Sequence, residues 1–287
     1  MSTDLSKAPA PDAAEHEAYF PSPYSLSQYV PPTTDFDGAD GAPQAGDGPR
    51  TILVVAADER YVPVEGERYF SSGNHPVETL LPLMHLRAAG YDIEVATVSG
   101  AMAKLELWAF PKDDEAVARA YDELLPQLRE PKALADVVAG LGEDSPYAAV
   151  FVPGGHGALV RLPESRAVGK TLQWFLDNER PVITLCHGPA ALLAATGADG
   201  SNVFAGYEIA AFPDSLDSGA NVEIGYLPGR LTWLFGERLQ QAGLTIVNDD
   251  MTGRVHRDRV LLTGDSPLAA NALGRLAVET LTGGTYA

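Results

Sequence analysis

The segments TILVVAA (51–57), HPVETLLPLMHLRAAG (75–90) and DIEVATVSG (92–100) follow one another along the chain, and their patterns decide the fold class. The first is a continuous apolar run, which is typical of a strand buried on both faces of a sheet. The second has apolar residues at helical spacing and ends at a glycine. The third again indicates a strand, so the three predict a strand–helix–strand unit with parallel strands.

The same alternation continues toward the C-terminus. Further strands are predicted at residues 147–155, 181–186, 244–248 and 260–264, and helices at 113–125, 132–141, 165–179, 188–197, 231–243 and 266–281. Ser266 is the predicted N-cap of the last helix. Apolar strands that alternate with helices predict an α/β fold with a doubly wound, mostly parallel sheet, in which binding sites lie at the carboxyl ends of the strands.

The first 50 residues have a different composition, with eight of the 22 prolines and no persistent period. We expect residues 1–18 to be disordered and residues 19–50 to form an extended arm over the core, although a wholly loose tail would suit this composition nearly as well. The core is expected to span residues 51–287. Within it, the segment at about 100–146 does not fit the alternation and is expected to contribute to a small extra lobe. The aromatic residues that would pin the arm are Tyr19, Phe20, Tyr24, Tyr29 and Phe36.

Charge and cysteine content exclude several classes of protein. The formal net charge is −19, so the average field of the chain repels nucleic acid and anionic lipid, and we expect no nucleic-acid binding. No apolar run reaches the ~18 residues of a membrane helix, and the N-terminus lacks the basic start and apolar core of a signal peptide. The single cysteine cannot form an intrachain disulfide. These features favour a cytoplasmic protein with a reduced thiol.

That single cysteine, Cys186, ends the predicted strand PVITLC and is followed at once by His187, Gly188 and Pro189. A sharp strand-to-helix turn holds such a side chain above the edge of the sheet, and a helix N-terminus lowers the pKa of a thiol. We therefore interpret Cys186 as a nucleophile rather than a buried structural cysteine, with the backbone N–H of His187 facing a developing oxyanion.

Two other segments reach the same sheet edge. In VPGGHGAL (152–159), glycines let backbone amides approach a ligand, so the N–H of Gly155 is the candidate for the second half of an oxyanion hole. His156 in this turn is the histidine best placed to touch substrate. Glu78 lies in the first turn of the helix that follows the first strand. A carboxyl beside a thiol holds or shares a proton, as acid–base chemistry requires, but Glu78 would equally well stabilise its own helix N-terminus.

Together, NHPVETLLPL (74–83), VPGGHGAL (152–159) and TLCHGPAA (184–191) resemble the ThiJ/PfpI superfamily. Longer segments, among them AFPDSLD (211–217) and EIGYLPG (223–229), resemble its HchA branch over about residues 19–285. That branch contains heat-inducible holding chaperones that are also glutathione-independent glyoxalases (glyoxalase III). The resemblance implies a flavodoxin-like core, a smaller lobe built partly by the N-terminal segment, a homodimer and a role in the stress response.

The resemblance also implies roles for individual residues. Cys186 matches the nucleophile, Glu78 its acidic partner and His187 the triad histidine. The triad carboxylate falls within AFPDSLD, at Asp217, with Asp214 as the alternative. Because an imidazole next to the nucleophile in sequence can point away from the sulfur, these roles do not by themselves predict the geometry.

A metal site found in the branch, of two histidines and a carboxylate, is not expected in this chain. The matching positions hold Arg87, Asp92 and Leu124. Arginine carries a positive charge and leucine has no lone pair, so neither replaces a histidine ligand. We expect no cofactor.

These features lead to the expectation of a lactate-forming lyase that converts methylglyoxal, a small 2-oxoaldehyde, to D-lactate without glutathione. The same chemistry would act on glyoxal-modified amines or thiols of glycated proteins, as a deglycase hydrolase. One alternative is a dimeric stress holdase that binds unfolded proteins on an apolar patch uncovered by the N-terminal arm. The other is a cysteine amidase or aminopeptidase.

Overall fold

The apolar run that begins at Thr51 forms the middle of the main sheet in a computed structural model, which describes residues 5–285. In chain order the strands are Ala10–Pro11 (β1), Ala18–Phe20 (β2), Thr51–Ala56 (β3), Tyr61–Val64 (β4), Arg68–Ser71 (β5), Asp92–Thr97 (β6), Lys132–Ala133 (β7), Tyr147–Val152 (β8), Val182–Leu185 (β9), Glu208–Ile209 (β10), Thr245–Ile246 (β11), Val255–Asp258 (β12) and Leu261–Gly264 (β13).

Seven strands make the main sheet, in the order β12-β13-β9-β8-β3-β6-β7. β3 pairs in parallel with both β6 and β8, and only the edge strand β12 runs antiparallel to its neighbour. Residues 52–56 of β3 are all buried, which explains why its sequence is apolar throughout instead of alternating. The predicted α/β class with a mostly parallel sheet is confirmed.

Helices cover this sheet. The α-helices are Pro23–Tyr29 (α1), Pro76–Ala88 (α2), Glu115–Arg129 (α3), Leu134–Ala139 (α4), Arg166–Asp177 (α5), Asp214–Ser218 (α6), Ala220–Glu223 (α7), Phe235–Gln241 (α8) and Ala270–Thr282 (α9). Helix α2 packs against α3 and α9, while α5 packs against β8, β9 and the 3₁₀ helix Gly188–Ala194. The other 3₁₀ helices are Leu107–Ala109, His156–Leu159, Leu162–Glu164 and Pro267–Ala269.

A second, four-stranded sheet forms a small lobe, in the order β1-β2-β5-β4. Here the structure differs from the expected disorder of residues 1–18, of which 1–4 lie outside the described residues. Ala10 and Pro11 pair with Phe20 and Tyr19, and β2 continues in parallel beside β5. Main-chain pairing with a hairpin of the core stabilises the N-terminal segment, although its own composition lacks a strand pattern.

The segment 100–146 was expected to contribute to the extra lobe, but the structure builds it into the core. Its short strand β7 is an edge strand of the main sheet, beside β6, and α3 packs against α2. Leu124 and Leu128 of α3 are buried, so this insertion adds to the hydrophobic core. Among residues 5–285, no helix has the length and apolar character needed to cross a membrane.

Within the predicted arm of residues 19–50, residues 22–36 run along the core and include the helix α1. Ser22 caps α1 by accepting a hydrogen bond from the N–H of Ser25, and its hydroxyl donates to the carbonyl of Ile224 at 2.7 Å. Further along, the Phe36 ring meets the His85 ring edge-on at 5.2 Å. The hydrogen bond of Ser22 and the edge-on contact of the Tyr29 ring with the Tyr226 ring, at 5.5 Å, hold α1 against the mouth of the site described next.

Candidate active site

Cys186 immediately follows β9 in a left-handed backbone conformation, with φ of 58°. Its N–H donates to the carbonyl of Gly264 at 2.9 Å, and its own carbonyl accepts from the N–H of Phe212 at 3.1 Å. These two bonds hold a conformation that non-glycine residues rarely adopt. A Cβ on the following Gly188 would collide with the backbone of Val152, so only glycine fits the turn. The chain forms the strained elbow that the sequence predicts.

His187 lies between Cys186 and Asp217. Its Nδ1 is 3.2 Å from Cys186 Sγ, and its Nε2 is 2.8 Å from Asp217 Oδ2. Asn221 Nδ2 donates to the other carboxylate oxygen at 2.7 Å. The imidazole next to the nucleophile in sequence thus points toward the sulfur, and the three side chains form a connected relay.

Electrostatics define the protonation states of this relay. Burial opposes ionisation of Asp217, but the imidazoles of His156 and His187 bring its pKa far below the ordinary value. Burial and the neighbouring His156 lower the pKa of His187 to about 4, so its ring is neutral near pH 7. Because an ionised Asp217 can only accept, Nε2 of His187 carries the ring proton. Nδ1 is then a free base that faces the thiol.

Asp214, the alternative triad carboxylate, lies elsewhere. Its two oxygens accept from the N–H groups of Gly236 at 3.1 Å and Glu237 at 2.8 Å, in the first turn of α8. It therefore serves the N-terminus of that helix. Of the two candidates, the structure brings Asp217 to His187.

Glu78 is fully buried in the first turn of α2, close to the thiol. A Cβ on Gly154 would collide with Glu78 Oε2 and lie 2.6 Å from Cys186 Cβ. Because glycine has no Cβ, position 154 leaves space for both side chains. Neither carboxyl oxygen has a nitrogen or oxygen partner among the described residues. Burial raises the pKa of Glu78 well above its ordinary value. A neutral carboxylic acid beside sulfur is the result.

The expected lowering of the thiol pKa is wrong. Burial, with the nearby carboxyl of Glu78, raises the pKa of Cys186 well above its ordinary value, and only the N–H of Gly155 acts in the opposite direction. The helix that follows is a seven-residue 3₁₀ helix and not an α-helix, so its dipole does little to lower the pKa of the thiol. In the resting site, the thiol keeps its proton and must transfer it to a base on attack.

Gly155 and His156 lie beside these groups. Gly155 has φ of 98°, and its backbone N–H acts to lower the pKa of the Cys186 thiol. His156 Nε2 lies 3.1 Å from Asp217 Oδ1, and its ring lies 3.9 Å from the ring of His187. Burial acts to lower the pKa of His156, but Asp217 and Glu106 together raise it. All six predicted site residues are therefore within one cluster.

A cavity of about 360 Å³ opens onto Cys186 and Glu78. Its lining also includes four residues that the sequence analysis did not single out: His75, Glu106, Trp108 and Tyr226. The mouth is mostly apolar, and α1 supplies part of its wall through Tyr29. Aromatic and aliphatic walls keep water away from the thiol and strengthen electrostatic interactions inside.

The positions that correspond to the branch's metal ligands do not fit a metal. The guanidinium of Arg87 pairs with Glu123 at 2.7 Å, Leu124 is buried, and Asp92 is exposed. Near the thiol, His156, His187 and Asp217 place possible ligand atoms within 4.8 Å of one another. There, both Nε2 atoms face the Asp217 carboxylate. A cation would therefore replace the hydrogen bonds that set the His187 tautomer.

Comparisons with known proteins identify the family of the chain. The model of the DJ-1/PfpI family matches residues 70–280. The protein/nucleic acid deglycase HchA of Staphylococcus aureus strain RF122 is 58% identical over 279 residues, which are 97% of this chain and 96% of its own length.

Solved structures share the fold at low identity. The 24 kDa rapid encystment protein of Francisella tularensis gives a TM-score of 0.68 at 18% identity, covering 81% of this chain and 99% of its own. Glyoxalase III of Candida albicans gives 0.63 at 20% identity, covering 79% and 95%. The chain belongs to the DJ-1/PfpI family, in the branch of the staphylococcal HchA proteins.

Proposed function

We propose that the chain is a glutathione-independent glyoxalase, which converts methylglyoxal to D-lactate with Cys186 as the nucleophile. The observation that carries this proposal is a buried thiol with a base on one side and a carboxylic acid on the other. His187 Nδ1 lies 3.2 Å from the sulfur, and burial keeps Glu78 protonated. Thiol addition to an aldehyde needs a base for the thiol proton and an acid for the carbonyl oxygen.

In the first step, His187 takes the thiol proton while Cys186 Sγ forms a bond to the aldehyde carbon, C1. Glu78 gives its proton to the aldehyde oxygen, O1, which completes a hemithioacetal. The new imidazolium is stabilised by the ionised Asp217, whose carboxylate lies 2.8 Å from Nε2. The N–H groups of Gly155 and His187 are the proposed donors to the negative charge that develops on oxygen.

In the second step, the Glu78 carboxylate removes the hydrogen of C1 as a proton, and an enediol forms. Glu78 then returns that proton to C2, which leaves a thioester of lactate on Cys186. Water adds to the thioester carbonyl as the Glu78 carboxylate takes one of its protons, and the sulfur leaves with the proton held by His187, so both groups return to their starting states. The net reaction adds one water to methylglyoxal and needs no external oxidant or thiol.

The test is release of D-lactate from methylglyoxal by the purified protein without glutathione. We expect Cys186→Ala to abolish turnover, and Glu78→Gln to reduce it by at least about 100-fold because the carbon proton loses its carrier. Arg87→Gln, which alters only a surface ion pair, is the control and should retain wild-type activity. Full activity of Cys186→Ala would overturn the proposal.

We further propose deglycase activity at the same site, as in the name of the staphylococcal relatives. A cavity of about 360 Å³ is larger than a three-carbon aldehyde requires, so it has room for a glyoxal adduct on an amine or thiol. The relatives' name includes nucleic acid, which stands against the expectation from charge. A net charge of −19 disfavours binding along a duplex, but it does not exclude a single glycated nucleotide in the cavity.

The relay of Cys186, His187 and Asp217 also suits acyl transfer, as a cysteine amidase or aminopeptidase would use. A protonated Glu78 beside the sulfur favours aldehyde chemistry, since peptide hydrolysis has no carbon-bound proton to move. Cys186-dependent cleavage of a fluorogenic peptide, faster than lactate formation, would reverse this preference. Holdase activity and the homodimer remain expectations, which client aggregation assays and measurement of solution mass would check.

A further inference from the structure

The cavity contains a second buried carboxyl, Glu106, that the steps above do not use. Its Oε1 accepts a hydrogen bond from Ser72 Oγ at 2.6 Å. Its backbone N–H donates to the carbonyl of Asn74 at 3.0 Å, which fixes the main chain. Its Oε2 is buried without a hydrogen-bond partner among the described residues. A fixed carboxyl with one unpaired oxygen in a cavity is free to form a hydrogen bond with a molecule bound there.

The surroundings of Glu106 let it exchange a proton near neutral pH. Burial raises its pKa to about 7, against the opposing effects of His156 and of the Ser72 hydrogen bond. The titratable groups that face it or share its cavity are Tyr29, Arg60, His75, Glu78, His156, Cys186, His187 and Tyr226. Among them, Glu78 is occupied with the carbon proton and His187 with the thiol proton.

The proposed glyoxalase reaction has two oxygen protons to move as well. In the hemithioacetal, O1 carries a proton and O2 is a carbonyl. In the thioester the situation is reversed, because O1 is a carbonyl and O2 carries a proton. In this step Glu78 moves a proton only from C1 to C2, so another group must donate a proton to O2 and accept the proton of O1.

We propose that Glu106 is the second acid–base residue of this site and carries the oxygen protons through Oε2. As Glu78 removes the C1 proton, the electron pair moves to O2, which takes the proton of Glu106. As Glu78 protonates C2, the electrons of the enediol form the C1–O1 carbonyl, and the O1 proton passes to the Glu106 carboxylate. Glu106 begins and ends protonated, so charge and atoms balance. This inference rests on the proposed function.

The first experiment compares kcat and KM of Glu106→Gln with the wild type for lactate formation. Glutamine keeps the size and polarity of the side chain but cannot carry a proton, so kcat should fall by at least about 100-fold with little change in KM. The rate at which iodoacetamide alkylates Cys186 should stay unchanged, because Glu106→Gln leaves the thiol and its base in place.

The second experiment uses the pH profile of kcat, which a merely structural residue would not move. The wild-type kcat should fall as the pH rises through about 7, where Glu106 loses its proton. Ser72→Ala removes a hydrogen bond that lowers the Glu106 pKa, so the fall should move to higher pH. Ser71→Ala is the matched control, since Ser71 donates to Asp12 at 2.8 Å and should leave the profile unchanged.

The outcomes separate this inference from the proposed function. If Glu106→Gln retains at least a third of the wild-type kcat while Cys186→Ala makes no lactate, the role of Glu106 is overturned and the glyoxalase remains. An identical pH profile for Ser72→Ala and wild type also overturns that role, even if Glu106→Gln does not fold. A wild-type protein that makes no lactate overturns both.

Discussion

At the scale of single residues, the two aspartates of AFPDSLD offer a paired test. Asp217→Asn replaces an acceptor with an amide that can donate to His187 Nε2, which moves the ring proton to Nδ1. Nδ1 then faces the sulfur as a donor and cannot take the thiol proton. We expect kcat for lactate formation to fall at least about 100-fold.

Asp214→Asn is the control for that variant, three residues earlier in the same helix. It weakens the contacts to Gly236 and Glu237, so it should lower the free energy of unfolding by about 1 kcal/mol and leave kcat near the wild-type value. Steady-state kinetics and urea unfolding of both variants measure the difference. A larger loss of activity in Asp214→Asn would reverse the two roles.

Glu106 also predicts a pH dependence of stability. Its pKa rises from 4.5 to about 7 on folding, so the folded state binds more protons than the unfolded state in that window. Stability is therefore lost as the pH rises from about 4.5 to 7. Glu106→Gln removes this loss. The free energy of unfolding of the variant, relative to that of the wild type, should therefore be about 3 kcal/mol higher at pH 8 than at pH 4.5.

Urea unfolding at the two pH values measures this prediction. Glu123→Gln is the control, because Glu123 is exposed and its ion pair with Arg87 contributes little. An equal effect of Glu106→Gln at pH 4.5 and pH 8 would show that Glu106 titrates alike in both states.

The sequence predicts some of these residues better than others. Cys186 stands out because a strand, a sharp turn and a helix start coincide at one nucleophile. Asp217 was assigned from the resemblance, because His187 and Asp217 are 30 residues apart and local sequence periodicity does not predict contacts at that separation. Glu106 has no local signal at all, because its burial depends on how residues 72 and 106 meet in the fold.

At the scale of elements, the elbow between β9 and the 3₁₀ helix stores backbone strain. Cys186 has φ of 58°, which costs a residue with a Cβ about 1–2 kcal/mol. Cys186→Gly should therefore be more stable than Cys186→Ala by about 1 kcal/mol. Both variants lack the thiol, so the comparison isolates the backbone.

The same exchange at Ala190, in the following 3₁₀ helix, provides the opposite case. Ala190 is buried among helical backbone, where glycine loses side-chain packing and gains chain entropy on unfolding. Ala190→Gly should lower the free energy of unfolding. If glycine were also destabilising at position 186, the left-handed turn would not hold strain.

Long apolar elements followed their sequence patterns, and of the two short strands β10 and β11 only β11 was predicted, within residues 244–248. The strands β3, β6 and β8 are buried over several residues, so their sequences carry a clear signal. β10 and β11 have two residues each and depend on each other for pairing. The predicted cap at Ser266 is wrong, because its hydroxyl donates to Asp265 and the chain first forms a 3₁₀ turn.

At the scale of the whole molecule, the small lobe and the core enclose the site together. β2 pairs with β5 about 50 residues further along, and this non-local contact left no periodic signal in the first 20 residues. Helix α1 then leads from the lobe to the mouth of the cavity. The N-terminal segment therefore lines the candidate active site and also forms part of the small lobe.

The last prediction concerns this enclosure. The Tyr29 ring meets the Tyr226 ring edge-on at 5.5 Å and forms part of the cavity wall. Tyr29→Ala opens the wall and removes an apolar contact, so the KM for methylglyoxal should rise by about 10-fold while kcat changes little.

Tyr24→Ala is the matched control from the same helix, since the Tyr24 ring lies under the Lys7 ammonium and outside the cavity lining. It should leave KM unchanged. Equal KM values for the two variants would mean that α1 only anchors the lobe. If α1 contacts the substrate, a substitution inside the cavity must change KM more than one outside it.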